Sequence, residues 1–258
     1  MELKFYKYHG TGNDFILVDD RERKISLSSQ QIAFLCHRHF GIGADGLMLL
    51  QLEEGYDFRM VYYNSDGGES SMCGNGGRCI TAFAKRLGII FDHASFIAID
   101  GPHAATIDAN DFVSLDMIDV NEIEHSDDHS LLNTGSPHYV LWTNDVKHKD
   151  VFADGRLIRN QNEFQPKGIN VNFAEKTGDG ISVRTYERGV EAETLSCGTG
   201  VTAAAIASTR NKTGSFSIDI ETPGGKLNVR FKKETEHKAI DVILSGPAVF
   251  VYEGTIRM

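Results

Sequence analysis

The sequence predicts an α+β fold of two pseudo-symmetric, strand-rich domains. Each is expected to hold a central helix starting at a Cys-Gly-x-Gly step, with the site in the cleft between them. Three observations lead there. Two frames match, Ser71-Met72-Cys73-Gly74-Asn75-Gly76 and Leu195-Ser196-Cys197-Gly198-Thr199-Gly200. Their cysteines lie 124 residues apart in a chain of 258, close to half its length. An earlier pair, Thr11–Val18 and Thr134–Leu141, repeats in the same order at nearly the same offset, which points to internal duplication.

Met1–Tyr8 alternates apolar and polar residues like a half-buried strand. A helix is expected from Ser29 to His39. Ser28 and Gln31 have capping-box spacing, and Ile32, Leu35, Cys36 and His39 share a face. Gly41-Ile42-Gly43-Ala44-Asp45-Gly46 matches a dinucleotide fingerprint, but a helix precedes it and the strand-like Leu47–Gln51 follows. That order is reversed from a Rossmann site and reads as a turn. Phe58–Asn64 alternates, and aligning Cys73 on Cys197 lays it on Ser182–Arg188, with Glu69 on Glu193. After Cys73, Ile80, Phe83, Ala84 and Leu87 mark one face of a helix, and Gly88 stops it. Strands are expected at Phe96–Ile99, Ala104–Ile107 and Val113–Met117.

The polar, acidic stretch Asp116–Ser130 is read as the joint. The first domain is therefore 1–117 and the second 118–246, with a C-terminal strand at 247–258 returning to the first. In the second half a strand is expected at Gly168–Ala174. A helix carries Val201, Ala204, Ala205 and Ser208, and strands follow at Phe216–Ile220, Leu227–Phe231, Ala239–Leu244 and Val249–Tyr252.

Net charge is −10, from 26 basic and 36 acidic residues, and no Lys/Arg cluster occurs. Neither nucleic acid nor an anionic membrane is expected as a partner. The N-terminus lacks the apolar run of a signal peptide, and no stretch approaches the ~18 residues of a membrane span. A cytoplasmic protein is expected, with its four cysteines reduced. Cys-x-x-Cys spacing is absent from the sequence, so no metal site is expected.

A free cysteine has a pKa of about 8.5, which a helix N-terminus can lower to about 3.5–7.5. The first N–H groups of a helix lack internal partners and carry partial positive charge. Glycines there let a ligand approach the backbone, and the N–H groups can hold a carboxylate. Two such helix starts would offer one thiolate to remove a proton from a carbon and one thiol to return a proton to its other face. For isolated Cys36 and Cys79 a core role is the simpler reading. Taken alone, Asn13, Asn64 and Asn170 read as turn residues, Glu187-Arg188 as a surface pair, and His138, after Pro137, as a loop histidine.

Several motifs occur in order: Gly12-Asn13-Asp14-Phe15, Tyr63-Asn64-Ser65-Asp66-Gly67, Cys73-Gly74-Asn75-Gly76-Gly77-Arg78-Cys79, and Tyr186-Glu187-Arg188-Gly189 with Cys197-Gly198-Thr199-Gly200. Through them the chain resembles, over nearly its whole length, the diaminopimelate epimerase family. These are pyridoxal-independent amino-acid epimerases of lysine and cell-wall synthesis. The resemblance implies that Cys73 and Cys197 are an acid/base pair needing no cofactor. It implies that Gly74, Asn75, Gly198 and Thr199 bind the reacting carboxylate and that Glu187 meets the reacting amino group. Asn13, Asn64, Asn170 and Arg188 would hold a small diamino diacid largely by its distal end, and His138 and Glu187 would lie near the thiols. A homodimer is also implied. The chain departs from the family at Gly135-Ser136-Pro137-His138, where relatives often have Asn before the proline. Serine offers fewer donors, so Ser136 bears on distal recognition. A glutamine of some relatives is also missing from Gly43-Ala44-Asp45-Gly46. Two other readings are a proline-type racemase of the same fold, which usually has His where this chain has Asn75, and a non-catalytic amino-acid-binding protein, which has no use for two thiols.

Overall fold

The computed structural model, which describes residues 2–178 and 180–258, draws one ladder of strands twice. Two compact units carry the copies. One runs as far as Leu115 and resumes at Gly246–Met258; the other is Asp116–Ser245. In the first unit Glu2–Gly10 pairs antiparallel with Asn13–Asp19, which lies parallel to Gly46–Gln51. Gly46–Gln51 is antiparallel to Phe58–Asn64, which is itself antiparallel to Glu69–Ser70 and parallel to His93–Ala98. Gly101–Ile107 and Phe112–Asp116 continue as a meander, and Val249–Arg257 pairs with Glu2–Gly10.

The second unit repeats each step. His129–Asn133 is antiparallel to Pro137–Trp142, which is parallel to Asn170–Thr177, which is antiparallel to Gly180–Glu187. Gly180–Glu187 takes Ala192–Thr194 antiparallel and Gly214–Thr222 parallel, and Gly225–Thr235 and Lys238–Pro247 follow as antiparallel neighbours. Parallel neighbours need a crossover, and helices supply it. In the first unit these are α1 (Ser29–Cys36) and α2 (Gly74–Arg86); in the second, α3 (Val151–Arg159) and α4 (Gly198–Ser208).

The ladder corrects the alignment read from the cysteines. Phe58 pairs with Phe96 and Ile181 with Ile220, while Tyr63 pairs with Glu69 and Tyr186 with Glu193. Phe58–Asn64 therefore corresponds to Ile181–Glu187, one residue earlier than aligning Cys73 on Cys197 implies. The turn from Glu187 to Glu193 is one residue longer than its counterpart from Asn64 to Glu69. The alternation fits this register, since Phe58 and Met60 then match the buried Ile181 and Val183, whereas the cysteine alignment sets them on Ser182 and Arg184.

The helices α2 and α4 form the centres of the units. Residues Gly74–Ala84 of α2 are all buried, as are Gly198 and Gly200–Ala207 of α4. A helix buried all round cannot carry a polar stripe, and small side chains let strands close over it. Thus α4 is built mostly from Gly, Ala, Thr and Ser, packed among Val140, Val183, Val229 and Leu244. On α2, Phe83 meets Tyr6 at a ring separation of 4.8 Å. The outer helices cover secondary clusters, Ile32, Leu35 and Cys36 of α1 over Ile16, Val18 and Leu47, and Val151 of α3 over Val171, Phe173 and Tyr186. Among the described residues no helix is long and apolar enough to cross a membrane.

Two helices differ from expectation. The capping box at Ser28 and Gln31 is present, but α1 ends at Cys36 and His39 is exposed. The chain doubles back there: the N–H groups of Ile42 and Gly43 donate to the Leu35 carbonyl and that of Ala44 to Cys36. The expected turn through Gly41–Gly46 thus terminates the helix and feeds the strand Gly46–Gln51. Helix α3 has no clear apolar period and carries Gly155 in its middle, so pattern reading passes over it. Its place in the ladder matches that of α1.

Gly155 is there for packing. A Cβ at this position would lie 2.4 Å from Tyr186 Cβ and 2.7 Å from its Cγ. Alanine gains about 1 kcal/mol over glycine in a helix interior, whereas overpacking costs typically 1–3 kcal/mol. Tyr186 is 1% exposed and has no room to retreat, so the collision dominates. Gly155→Ala is expected to lower stability by about 1–2 kcal/mol, read as a lower urea midpoint at unchanged slope. An unchanged or raised midpoint would contradict this packing.

Candidate functional site

Each unit presents one cysteine at the start of its central helix. Cys73 is the N-cap of α2, extended at φ −110° and ψ 149°, and its Sγ accepts from the Gly76 N–H at 3.2 Å. Sulfur thus takes the place of the Ser, Thr or Asp oxygen usual at this position. A helix end favours an anion by about 0.3–1 kcal/mol, up to ~2 when partly buried, so the start of α2 favours the thiolate form of the half-buried Cys73.

Behind this cap lies a polar chain. Asn75 Nδ2 donates to Asn13 Oδ1 at 3.1 Å, and Asn13 Nδ2 donates to Asp45 Oδ2 at 2.7 Å. Arg38 clamps Asp45 at 2.6 Å and Asp14 at 2.8 Å, and Lys7 reaches Asp14 at 2.7 Å. Burial pushes the Asp14 carboxyl up, but hydrogen bonds from Arg38 and Lys7 outweigh it and hold the group down at about 2. On the other side of Asn75 sits Arg78, wholly buried. Its guanidinium donates to Gly74 O at 3.2 Å, Asn75 Oδ1 at 3.1 Å, Thr11 Oγ1 at 3.3 Å and Pro247 O at 3.5 Å. Burial lowers its pKa to about 10, which still leaves a cation at neutral pH beside the first turn of α2. Asn64 closes its strand opposite Gly46, which also pairs with Phe15, so Asn64 and Asn13 occupy the same end of this sheet.

In the second unit Cys197 is the N-cap of α4 at φ −109° and ψ 113°, with Sγ 3.5 Å from Thr199 Oγ1. Thr134 Oγ1 donates to the Thr199 carbonyl at 2.8 Å, which ties the Thr134–Ser136 turn to the helix start. Ser136, Asn170 and Arg188 come together. Asn170 Nδ2 donates to Ser136 Oγ at 2.8 Å, Arg188 Nη2 donates to the same oxygen at 3.1 Å, and the Arg188 N–H donates to Asn170 Oδ1 at 2.9 Å. Glu187 Oε2 accepts from Thr194 Oγ1 at 2.9 Å. The repeated Glu193 is bound by Arg184 through two bonds of 2.7 Å, a structural clamp.

His138 is a strand residue of Pro137–Trp142 with no exposed surface, not a loop histidine. Burial, aided by the charge of Arg188, lowers it to about 3, so the ring is neutral at physiological pH. Its Nδ1 lies 3.1 Å from Asn172 Nδ2. Cys36 and Cys79 are buried, and burial pushes the Cys36 thiol up to about 11 and Cys79 higher still, as suits core residues.

Sequence reading missed Arg78, Asn172, Thr185 and the Asp45–Arg38 clamp. Two signals were available. Arg78 lies four residues after Gly74 and is the one charged residue of α2 before Lys85. Asn172 is two residues from Asn170 and so shares its face of the strand.

The family model described as diaminopimelate epimerase matches residues 5–107 and 130–251. A protein named diaminopimelate epimerase from Flavobacterium psychrophilum is 51% identical over 257 residues, covering 98% of this chain and 100% of its own. One of the same name from Chlorobaculum tepidum is 41% identical, covering 96% and 99%. Among solved structures, a PhzF-family phenazine biosynthesis protein of Bacillus anthracis superposes at a TM-score of 0.77 with 13% identity, covering both chains fully. A hydroxyproline epimerase of Agrobacterium vitis superposes at 0.69 with 17% identity, covering 99% of this chain and 92% of that one. These two share the fold. The extended sequence identity, and two cysteines each capping a buried helix in the matched frames, place the chain in the diaminopimelate epimerase family of amino-acid isomerases.

Proposed function

We propose that this protein interconverts LL- and meso-2,6-diaminopimelate without pyridoxal phosphate, supplying lysine and peptidoglycan precursors. The observation that carries the reading is the repeated cap: in each unit a cysteine sulfur stands at the first turn of a buried helix. One thiolate removes the α-proton, the C–H electrons pass into the carboxylate as an enediolate, and the other thiol delivers a proton to the opposite face. The residues exchange roles in the reverse direction. Backbone N–H groups at Gly74, Asn75, Gly198 and Thr199 receive the reacting carboxylate, where each aimed donor is worth about 3–4 kcal/mol in a dry site. Glu187 meets the reacting ammonium. Asn13, Asn64, Asn170 and Arg188 hold the distal end.

Ser136 has a larger part than its size suggests. Its oxygen accepts from both Asn170 and Arg188, which leaves its own O–H to donate to a distal carboxylate. The serine therefore keeps Arg188 in place where a family asparagine would act through an amide. Cytoplasmic localisation agrees with four cysteines outside any disulfide, and the resemblance adds a homodimer, to be read by light scattering.

The deciding experiment incubates purified protein with diaminopimelate in heavy water and no added cofactor. Deuterium is expected at one α-position. Cys73→Ala and Cys197→Ala are each expected to cut epimerisation by at least about 10³-fold. Rapid epimerisation of proline with none of diaminopimelate would sink the assignment in favour of a proline-type racemase. Binding without exchange would point to a non-catalytic binding protein.

Ser136→Ala is expected to raise KM for diaminopimelate by about 10-fold, as for one lost hydrogen bond to a charged group, while kcat holds within about two-fold. Steady-state kinetics measures the split, and a fall in kcat at constant KM would contradict a distal role.

A further inference from the structure

The turn that follows Glu187 is held in shape by a residue with no part in the proposed chemistry. Arg188 is the first residue beyond the strand Gly180–Glu187, and the chain rejoins the ladder at Ala192. Between them Gly189 and Glu191 take left-handed backbone, at φ 92° and 58°. Glycine adopts such angles freely, whereas glutamate does so only where its surroundings enforce it. Here the enforcement is visible. The Glu191 N–H donates to the Glu187 carbonyl at 2.8 Å, and Glu191 Oε1 accepts from the Gly189 N–H at 3.0 Å. One residue thus closes the turn through both its backbone and its side chain.

The same carboxylate ties the turn to its surroundings. Oε1 accepts from Arg159 Nε at 3.1 Å and from its Nη2 at 2.9 Å, and Oε2 accepts from the Tyr186 hydroxyl at 3.2 Å. Arg159 is the last residue of α3, and Tyr186 is a core residue of the strand. Burial pushes the Glu191 carboxyl up, but bonds from Gly189, Arg159 and Tyr186 outweigh it and hold the group below its ordinary value. In the first unit the shorter turn closes with Asp66, whose Oδ1 accepts from the Gly68 N–H at 2.8 Å. The longer turn closes with a longer carboxylate side chain, and that one reaches α3. Arg188 is therefore fixed on one side by Asn170 and Ser136 and on the other by a turn clamped to an outer helix.

We propose that Glu191 and Arg159 are positioning residues of the reaction: their ion pair clamps the turn and so sets where Arg188 is offered to the distal end of the substrate. Glu187 depends on the clamp less, since it lies in the ladder opposite Ala192 and accepts from Thr194 Oγ1. The side chains of the pair are 16% and 42% exposed. Pairs so close to solvent add little stability, so this one acts on geometry and not on the unfolding midpoint. The clamp stands independently of the proposed function, whereas its use in turnover rests on that reading.

Amide hydrogen exchange of the substrate-free protein, resolved by residue with NMR, reads the clamp directly. The Gly189 and Glu191 amides are expected to exchange at least about 10-fold more slowly than in an unstructured chain. In Arg159→Ala and in Glu191→Ala that protection is expected to be lost, while Gly68 in the other turn keeps its rate. Unprotected amides in the unaltered protein, or full protection in a folded Arg159→Ala variant, would overturn the proposal. No substrate is present, so this outcome is separate from that of the isotope-exchange test. In steady-state kinetics each variant is expected to raise KM for diaminopimelate about 10-fold, the scale of one hydrogen bond to a charged group. The kcat is expected to hold within about two-fold and the urea midpoint to stay in place. The double variant is expected to match the single ones, as for two residues that act through one contact. Losses that multiply, or a wild-type KM in the folded variants, would refute the positioning role. If Glu191→Ala does not fold, Arg159→Ala carries the test, since it leaves the residues of the turn unchanged.

Discussion

A helix that begins inside a shell of strands must find partners for its first N–H groups where bulk water does not reach them. Both central helices face this constraint. Gly74, Asn75 and Gly76 are buried at the start of α2, as are Gly198 and Gly200 at the start of α4. In each case the N-cap residue is a cysteine: the Cys73 sulfur accepts from the Gly76 N–H, whereas the Cys197 sulfur lies against Thr199 Oγ1. A thiolate is a stronger acceptor than a thiol, so ionising Cys73 would strengthen its cap. The glycines at 76 and 200 follow from the same constraint, since a Cβ would meet Met48 Cε at 2.6 Å in one and Asn172 Oδ1 at 2.3 Å in the other.

The two copies meet the constraint with different materials. Beneath α2 the support is ionic: Arg78 donates into the turn, and the Asp45–Arg38–Asp14–Lys7 chain holds Asn13 against Asn75. Beneath α4 it is neutral: Thr185, Asn172 and His138 are joined by hydrogen bonds alone. A buried cation stabilises a nearby anion more than a neutral donor does. The duplicated ladders therefore give their two sulfurs unlike electrostatic surroundings.

Much of the fold was legible. Duplication showed in the repeated cysteine frames, both central helices start where the Cys-Gly-x-Gly steps placed them, and the Ser28–Gln31 capping box forms. Helix α3 was not legible because Gly155 is set by contact with Tyr186, a long-range fact that no local pattern carries. The one-residue slip between Phe58–Asn64 and its twin was overlooked because an alignment anchored on the cysteines is carried upstream across the turn that holds the extra residue. In the site, the side chains of Asn13, Asn75, Asn170, Ser136 and Arg188 lie in hydrogen-bonded sets within their own units. Arg78 and Asn172 stayed hidden because burial of a polar residue depends on partners distant in sequence.

The turn after Glu187 has a consequence for charge. Carried one step past the last matched ladder positions, the register sets Arg188 against Ser65 of the first unit, and the longer turn that follows takes up the extra residue. Arg188 is anchored on Ser136 and Asn170. A duplicated chain thus carries a cation in one copy at a step where the other carries a neutral hydroxyl, and like backbones end in unlike polarity.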